Sequence, residues 1–300
     1  MLDFFSIADL CVDVLLTGNT RPQFSQVEQL IDDYAFELGG SATICAAQFA
    51  NLGGTAGILG RVGDDFLGRF ILERLATLQL DLRHVHQMPT LKTGVGFALI
   101  ECDDRAILTY LGSIDAVMPD MLTDNLLGIA KHWHIASYFL LQKLQPAWPG
   151  WLQKLRSHHV TVSLDTNWSP TGNWHDIIEL LPLVDWFLPN AAEALAITGL
   201  HDLTQAGKSL ASHGCGVVIK CGKDGAIAFK NSQTIHAPAT PVPTVVDTIG
   251  AGDCFDAGFF RAWQLGYPLD RCLQTAIACG SAVVQAPGGF SGQIRTHLAK

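Results

Sequence analysis

From residue 132 onward the chain keeps one rhythm. Short apolar, β-branched runs near 132–136, 160–164, 184–188 and 216–221 are separated by segments of helical spacing at 147–157, 174–181, 190–198 and 203–213. Consecutive parallel strands can only be joined by a crossover, so this alternation predicts a mostly parallel sheet with helices on both faces. In such sheets ligands sit outside the carboxyl ends of the strands. The N-terminal part fits the same plan. A buried-strand pattern over 3–16 is interrupted by Asp9 and Asp13, and a polar stretch then ends in the weak alternation Tyr34-Ala35-Phe36-Glu37-Leu38, a short strand outside the main sheet. Ile44 to Leu52 is a helix of small residues closed by Gly53-Gly54, Ala56 to Val62 a strand, and Gly63-Asp64-Asp65 opens a helix through Leu80. Residues 93–112 break the rhythm: Thr93 to Ile100 and Ala106 to Leu111 flank the turn Asp103-Asp104-Arg105, a hairpin inserted between βα units that predicts a lid. Short antiparallel strands over 224–246, turning at Lys230-Asn231 and Pro241-Val242-Pro243, lead to two helices near 252–265 and 268–285. No linker, repeat or low-complexity segment divides the chain. The expected organisation is one α/β domain over 1–300, with lid segments near 14–38 and 90–112.

Composition narrows the partners. The 300 residues are 48% hydrophobic and 16% charged, enough for a well-buried core, and a net charge of −9 with no basic patch argues against nucleic acid. There is no signal-peptide pattern and no uncharged run of about 18 residues, so no membrane partner is expected and the location is cytoplasmic. Eight scattered cysteines include no C-x-x-C pair, which reads as buried reduced thiols rather than zinc ligands. His132 and His134 share a strand face without nearby acids and read as packed imidazoles. Gly57, Gly60 and Gly63 do not form the G-x-G-x-x-G of dinucleotide sites, which argues against an oxidoreductase.

The chemistry concentrates in Asp247-Thr248-Ile249-Gly250-Ala251-Gly252-Asp253-Cys254-Phe255, a glycine turn between a β-branched run and a long apolar helix. The first turn of a helix leaves N–H groups unpaired at the positive end of its dipole, a natural anion site. Gly250 and Gly252 allow close backbone approach. A carboxylate inside such a hole repels a resting phosphate, unless it is there to accept a proton beside it. A phosphate facing a base points to phosphoryl transfer onto a hydroxyl; the simpler alternative is that Asp253 caps the helix.

Four motifs, in order along nearly the whole chain, resemble the ribokinase-like (phosphofructokinase-B) carbohydrate kinases. They are Gly39-Gly40 with Leu52-Gly53 to Asp64-Asp65-Phe66 and Gly68; Asn190-Ala191-Ala192-Glu193 after Leu188-Pro189; Lys220-Cys221-Gly222-Lys223-Asp224-Gly225; and Asp247 to Asp253. The resemblance implies a three-layer α/β/α fold with a small β lid, and ATP-dependent phosphorylation of a small sugar or sugar derivative with Mg²⁺ as cofactor. Asp253 would be the general base, and Gly250, Ala251 and Gly252 the anion hole. Asn190 and Glu193 would position Mg²⁺, partly through water, together with the nucleotide phosphates, although the same pair has capping-box spacing. Lys220, Gly222 and Gly225 would run along ATP. Asp13 would accept two sugar hydroxyls, with Gly39, Gly40, Ser41, Thr43, Ile44, Phe97 and Asn167 as further substrate-side candidates. A monovalent-cation site for K⁺ would use carbonyls of Ile249, Val283, Ala286 and Gly288, with Asp247 and Ser291. A homodimer through the lid is a further implication. The sequence departs from the family at Ile44, where an asparagine usually bonds a sugar hydroxyl. Either the acceptor has an apolar edge there, or Ile44 faces the core and Ser41 or Thr43 takes over the bond. A nucleoside kinase of the same fold and a non-catalytic sugar sensor are the rival readings; the intact Asp253 and N-x-x-E argue against the sensor.

Overall fold

The computed structural model describes residues 1–101 and 104–299, so the hairpin-turn residue Asp103 and one cysteine, Cys102, lie outside the described residues. The expected strand over 3–16 is two strands in two different sheets. β1 (Phe4–Ile7) is wholly buried in the main sheet, the chain bends at Ala8-Asp9-Leu10, and β2 (Cys11–Thr17) enters the lid. β3 (Asp33–Gly39) pairs antiparallel with β2, and α1 (Ser41–Asn51) follows at once. After β4 (Ala56–Gly63), α2 is Phe66–Leu75, shorter than expected, because the chain turns back into β5 (Leu80–Met88). That strand, Leu80-Asp81-Leu82-Arg83-His84-Val85-His86-Gln87-Met88, lies at a sheet edge and is mostly half-exposed, so it carries no apolar run to betray it. The hairpin is β6 (Gly94–Glu101) and β7 (Asp104–Tyr110).

The alternation from residue 132 is present as expected. It comprises β8 (His132–Ile135), α3 (Trp148–Ser157), β9 (Thr161–Leu164), α4 (His175–Leu180), β10 (Trp186–Phe187), α5 (Ala191–Thr198), α6 (Leu203–Ala211) and β11 (Gly216–Lys220). The antiparallel pair β12 (Ala226–Lys230) and β13 (Gln233–Ala237) then closes one edge; no strand is formed over 238–246, where the chain carries three prolines, Pro238, Pro241 and Pro243, which cannot donate to a ladder. α7 (Ala251–Gln264) and α8 (Leu269–Val283) complete the fold.

Nine strands form the main sheet in the order β13-β12-β11-β10-β9-β8-β1-β4-β5, parallel from β11 to β5, and four form the lid in the order β3-β2-β6-β7. Each face of the main sheet has its own core. Trp148, Trp151 and Leu155 of α3, Ile177 of α4 and Leu210 of α6 pack on one face. Phe49 of α1, Ile71 of α2, Phe259 and Phe260 of α7 and Leu273 of α8 pack on the other. Burial on both faces is what near-continuous apolar strands require. The seven cysteines among the described residues are free, and His132 and His134 are buried, bonded to Ser163 Oγ and packed against Phe4 and Phe260. Among the described residues no helix is long and apolar enough to cross a membrane.

Candidate active site

The carboxyl ends of the parallel strands converge on one place. β1 leads to Asp9, β9 to Asp165, β10 to Asn190, and β11 ends on Lys220, while Gly250 and α7 face these ends from the loop. Gly250 takes the left-handed conformation (φ 77°), which turns the chain into α7. The N–H groups of Gly252 and Asp253 fall in the first turn, where the helix offers them no acceptor.

Asp253 is buried under this turn. Loss of water, then the nearby Asp165 carboxylate, push its pKa from 3.8 up to about 7, against the pull of Lys220 and the Ser41 hydroxyl. That is the range a base needs at neutral pH. One turn on, Asp256 is fully buried, and both its oxygens lie 3.3 Å from Lys220 Nζ, which also donates to Asp165 Oδ2 at 2.9 Å. Burial works against the Lys220 charge, but Asp165, Asp256 and Glu193 outweigh it and hold the ammonium ionised.

Asn190 and Glu193 form a complete capping box: Asn190 Oδ1 accepts from Glu193 N and Glu193 Oε2 accepts from Asn190 N, each at 2.9 Å. The capping alternative is therefore realised, and it leaves the second Glu193 oxygen outside the box. Burial first, and Asp165 second, raise Glu193 to about 7. Asp165 Oδ1 is buried without a hydrogen-bond partner. Two hard carboxylates of this kind suit a cation that keeps its waters and binds through few protein oxygens, and this is the donor set available for Mg²⁺. Gly222 and Gly225 shape the loop after β11, where a side chain on Gly225 would meet the Ala237 carbonyl at 2.0 Å.

Asp9 caps α1 from a distance, accepting from Ser41 N (3.0 Å), Ala42 N (3.1 Å) and Ser137 Oγ (2.6 Å). Its role is thus to fix the Gly39-Gly40-Ser41 corner. Asp13 stands on β2 opposite Glu37 of β3 and Gly96 of β6, and a methyl group on Gly39 or on Gly96 would come within 2.6 or 2.7 Å of its carboxylate. The carboxylate is thereby left open between two bare backbones. Burial and Asp9 raise its pKa to about 6. Arg105 of β7 donates to Thr248 Oγ1 at 3.2 Å, joining the lid to the anion loop.

Three expected substrate contacts are placed elsewhere. Ile44 is buried with Leu52, Cys254, Cys279 and Val283, against Gly250 and Gly289, so it supports the loop from the core side. Phe97 is opposite Val14 and Asp13 opposite Gly96; side chains alternate along a strand, so Phe97 leaves the lid on the face away from Asp13. Asn167 spends its amide on backbone, accepting from Phe139 N and donating to the Trp168 carbonyl, each at 3.0 Å. Thr43 is wholly buried. For the cation site, Asp247 accepts from Ile249 N and Gly288 N, and Val246 N donates to the Val284 carbonyl, which lays 246–249 against 284–288; the Val283 carbonyl accepts from Ala286 N. Ser291 is exposed. Sequence reasoning missed Asp165, Asp256 and Arg105. Asp256 had a signal, the i+3 spacing that puts it on the Asp253 face of one helix.

The profile of the pfkB family carbohydrate kinases matches residues 4–295. A 5-dehydro-2-deoxygluconokinase of Geobacillus thermodenitrificans is 28% identical over 304 residues, covering 95% of this chain and 88% of its own. An ATP-dependent ribose-1-phosphate kinase of Halopiger xanaduensis is 30% identical over 262 residues, covering 87% and 85%. The fold superimposes on Arabidopsis thaliana ribokinase complexed with ribose and ATP at a TM-score of 0.82, with 24% identity and coverage of 96% and 94%. A profile match over almost every residue, on a fold whose strand ends gather a buried carboxylate, an ammonium and an anion loop, has one reading: the chain belongs to the pfkB family of carbohydrate kinases.

Proposed function

We propose that the protein transfers the terminal phosphoryl group of ATP to a hydroxyl of a small sugar or sugar derivative, with Asp253 as general base. The observation that carries this is Asp253 itself: a buried carboxylate with its pKa near 7, inside the first turn of a helix whose N–H groups attract anions. The acceptor hydroxyl gives its proton to Asp253 as its oxygen bonds to phosphorus, and the bond from phosphorus to the ADP oxygen breaks. The Gly250, Ala251 and Gly252 backbone stabilises charge on the transferring group. Asp13 receives acceptor hydroxyls, and Ser41 is the neighbouring donor now that Ile44 packs inward. Lys220, Gly222 and Gly225 follow the nucleotide. Glu193 and Asn190, with the free oxygen of Asp165 alongside, would hold Mg²⁺, which when bound offsets the charge of the nucleotide phosphates. Asp247 and the carbonyls of Ile249, Val283, Ala286 and Gly288 would hold K⁺. The names of both relatives described above point to sugar-derived acceptors. The test is an ADP-release screen across sugars, sugar acids, sugar phosphates and nucleosides. Turnover on nucleosides alone would replace the reading, and release with no acceptor of any class would remove it.

The lid also supports pairing of two copies. Phe36, Val14, Phe97 and Leu108 stand in one row across β3, β2, β6 and β7, and Phe36 (44%), Phe97 (40%) and Leu108 (59%) are exposed. A row of apolar side chains on an open sheet needs cover. Light scattering of the wild type and of F97S/L108S tests this: a dimer that becomes a monomer is the expected result.

A further inference from the structure

The Lys220–Asp256 pair carries an inference that rests on the transfer reading and deepens it. Lys220 ends β11, and its ammonium lies against the anion loop: a methyl group built on Gly252 would stand 3.4 Å from Nζ. The ammonium therefore borders the space where the N–H groups of the loop point, a second positive element beside the first. It is not free to wander. Asp165 Oδ2 at 2.9 Å holds it from the end of β9, and the two Asp256 oxygens at 3.3 Å hold it from α7.

Asp256 has no use of its own at the reaction centre. It is fully buried one turn below Asp253, on the same helix. Besides Lys220 it neighbours Asp165, and His134 stands 3.9 Å away at Nε2, where burial keeps the imidazole neutral. His134 Nδ1 is engaged by Ser163 Oγ. Burial, and after it Asp165, raise the Asp256 carboxyl well above its usual range against the pull of Lys220, and the ammonium still donates to both Asp256 oxygens at 3.3 Å. A third carboxyl group so close to Asp253 and Asp165 is unfavourable to folding and to an incoming phosphate, and buried ionic clusters seldom improve stability over apolar packing. What Asp256 does supply is a fixed distance. It ties the ammonium to the helix that also carries the base and the anion loop, so all three move as one body.

We propose that Lys220 contacts the transferring phosphoryl group beside the Gly250–Gly252 loop, and that Asp256 is its positioning residue, acting on the reaction only through Lys220. A preorganised cation of this kind counts most in the transition state, where charge spreads over the transferring oxygens. Its loss therefore lowers kcat more than it weakens resting ATP.

The experiment measures ADP release at saturating acceptor for wild type, K220M, D256N and K220M/D256N, with kcat and KM for ATP separated and thermal unfolding recorded. K220M is expected to lower kcat about 10²–10³-fold, with a much smaller change in KM. D256N keeps shape and leaves Lys220 its Asp165 contact, so a loss in kcat on the order of tenfold is expected. In the K220M background D256N should cost nothing further, since the residue it positions is gone. If D256N does not fold, K220M/D256L, which leaves no ammonium unpaired, takes its place and should match K220M in kcat. Equal loss from D256N in both backgrounds, an unchanged kcat, or a rise in KM for ATP with kcat intact overturns the proposal. If the wild type transfers phosphoryl to no acceptor, the transfer reading falls and this inference with it; if the wild type transfers and D256N matches it, the inference alone falls.

Discussion

Asp253→Asn separates the cost of the base from its use. In the folded protein the Asp253 pKa is raised from 3.8 to about 7, by burial first and Asp165 next. The folded state therefore binds this proton more tightly than the unfolded chain. Its contribution to stability is complete below pH 3.8 and is lost as pH rises through about 7. The whole loss amounts to about 4 kcal/mol, of which about 2.5 kcal/mol falls between pH 5 and pH 8. Asparagine mimics the protonated carboxyl at every pH and escapes the loss. At an unfolding entropy near 2.1 cal/mol/K per residue, the Tm of the variant minus that of wild type should widen by about 4 °C from pH 5 to pH 8. Over the same range wild-type kcat/KM should climb along an acid limb with its bend near pH 7, and the variant should lose about 10²–10⁴-fold in kcat. Thermal unfolding and ADP release on the same two proteins give both readouts. A Tm difference that stays flat across this range would refute the argued pKa, and full turnover by D253N would refute the base.

Glu193→Gln keeps the cap, because an amide oxygen can still accept from Asn190 N, so Tm should hold while the Mg²⁺ concentration for half-maximal rate rises; overlapping magnesium titrations would leave Glu193 a cap only. Gly96→Ala sets a methyl group 2.7 Å from Asp13 Oδ1, and should raise the acceptor KM about tenfold, the loss of roughly one charged hydrogen bond, with KM for ATP unchanged. Ile44→Asn buries an unpartnered amide among Leu52, Cys254 and Val283; it should cost about 3–5 kcal/mol by urea titration and leave the ranking of acceptors as it was. A changed ranking in a stable variant would return Ile44 to the pocket.

Elements with a strong period were legible. The βα rhythm from residue 132 and the hairpin near 93–112 appear where the sequence puts them, because both rest on apolar faces that must be covered. The errors share a cause. Phe4 to Leu16 looks like one strand since both halves are apolar, and the bend at Asp9 is set by a partner 32 residues away, the N-terminus of α1. β5 was invisible because an edge strand with exposed Arg83 and His86 needs no apolar alternation. Phe97 was read as facing the acceptor, though its strand register with β2 decides which way it points, and register is not written in one strand alone.

The site divides along the same line. Asp253, Gly250, Asn190 and Glu193 could be proposed from the sequence because each sits in a local device, a glycine turn or a cap, whose geometry a few adjacent residues determine. Asp165 could not: it is one acid after an apolar run, and its meaning comes from Lys220, 55 residues on, and from Glu193. Charges in a low-dielectric centre are defined by one another rather than by their neighbours in the chain. Lys220 illustrates the consequence. On its own segment it is a lysine before a glycine loop, whereas in the fold three carboxylates keep it ionised and hold it at the loop. The same convergence raises Asp253 and Glu193 to about 7. On the proposed reading, a nucleotide phosphate would be received by N–H groups, the Lys220 ammonium and a metal ion acting together, because the carboxylates alone would repel it.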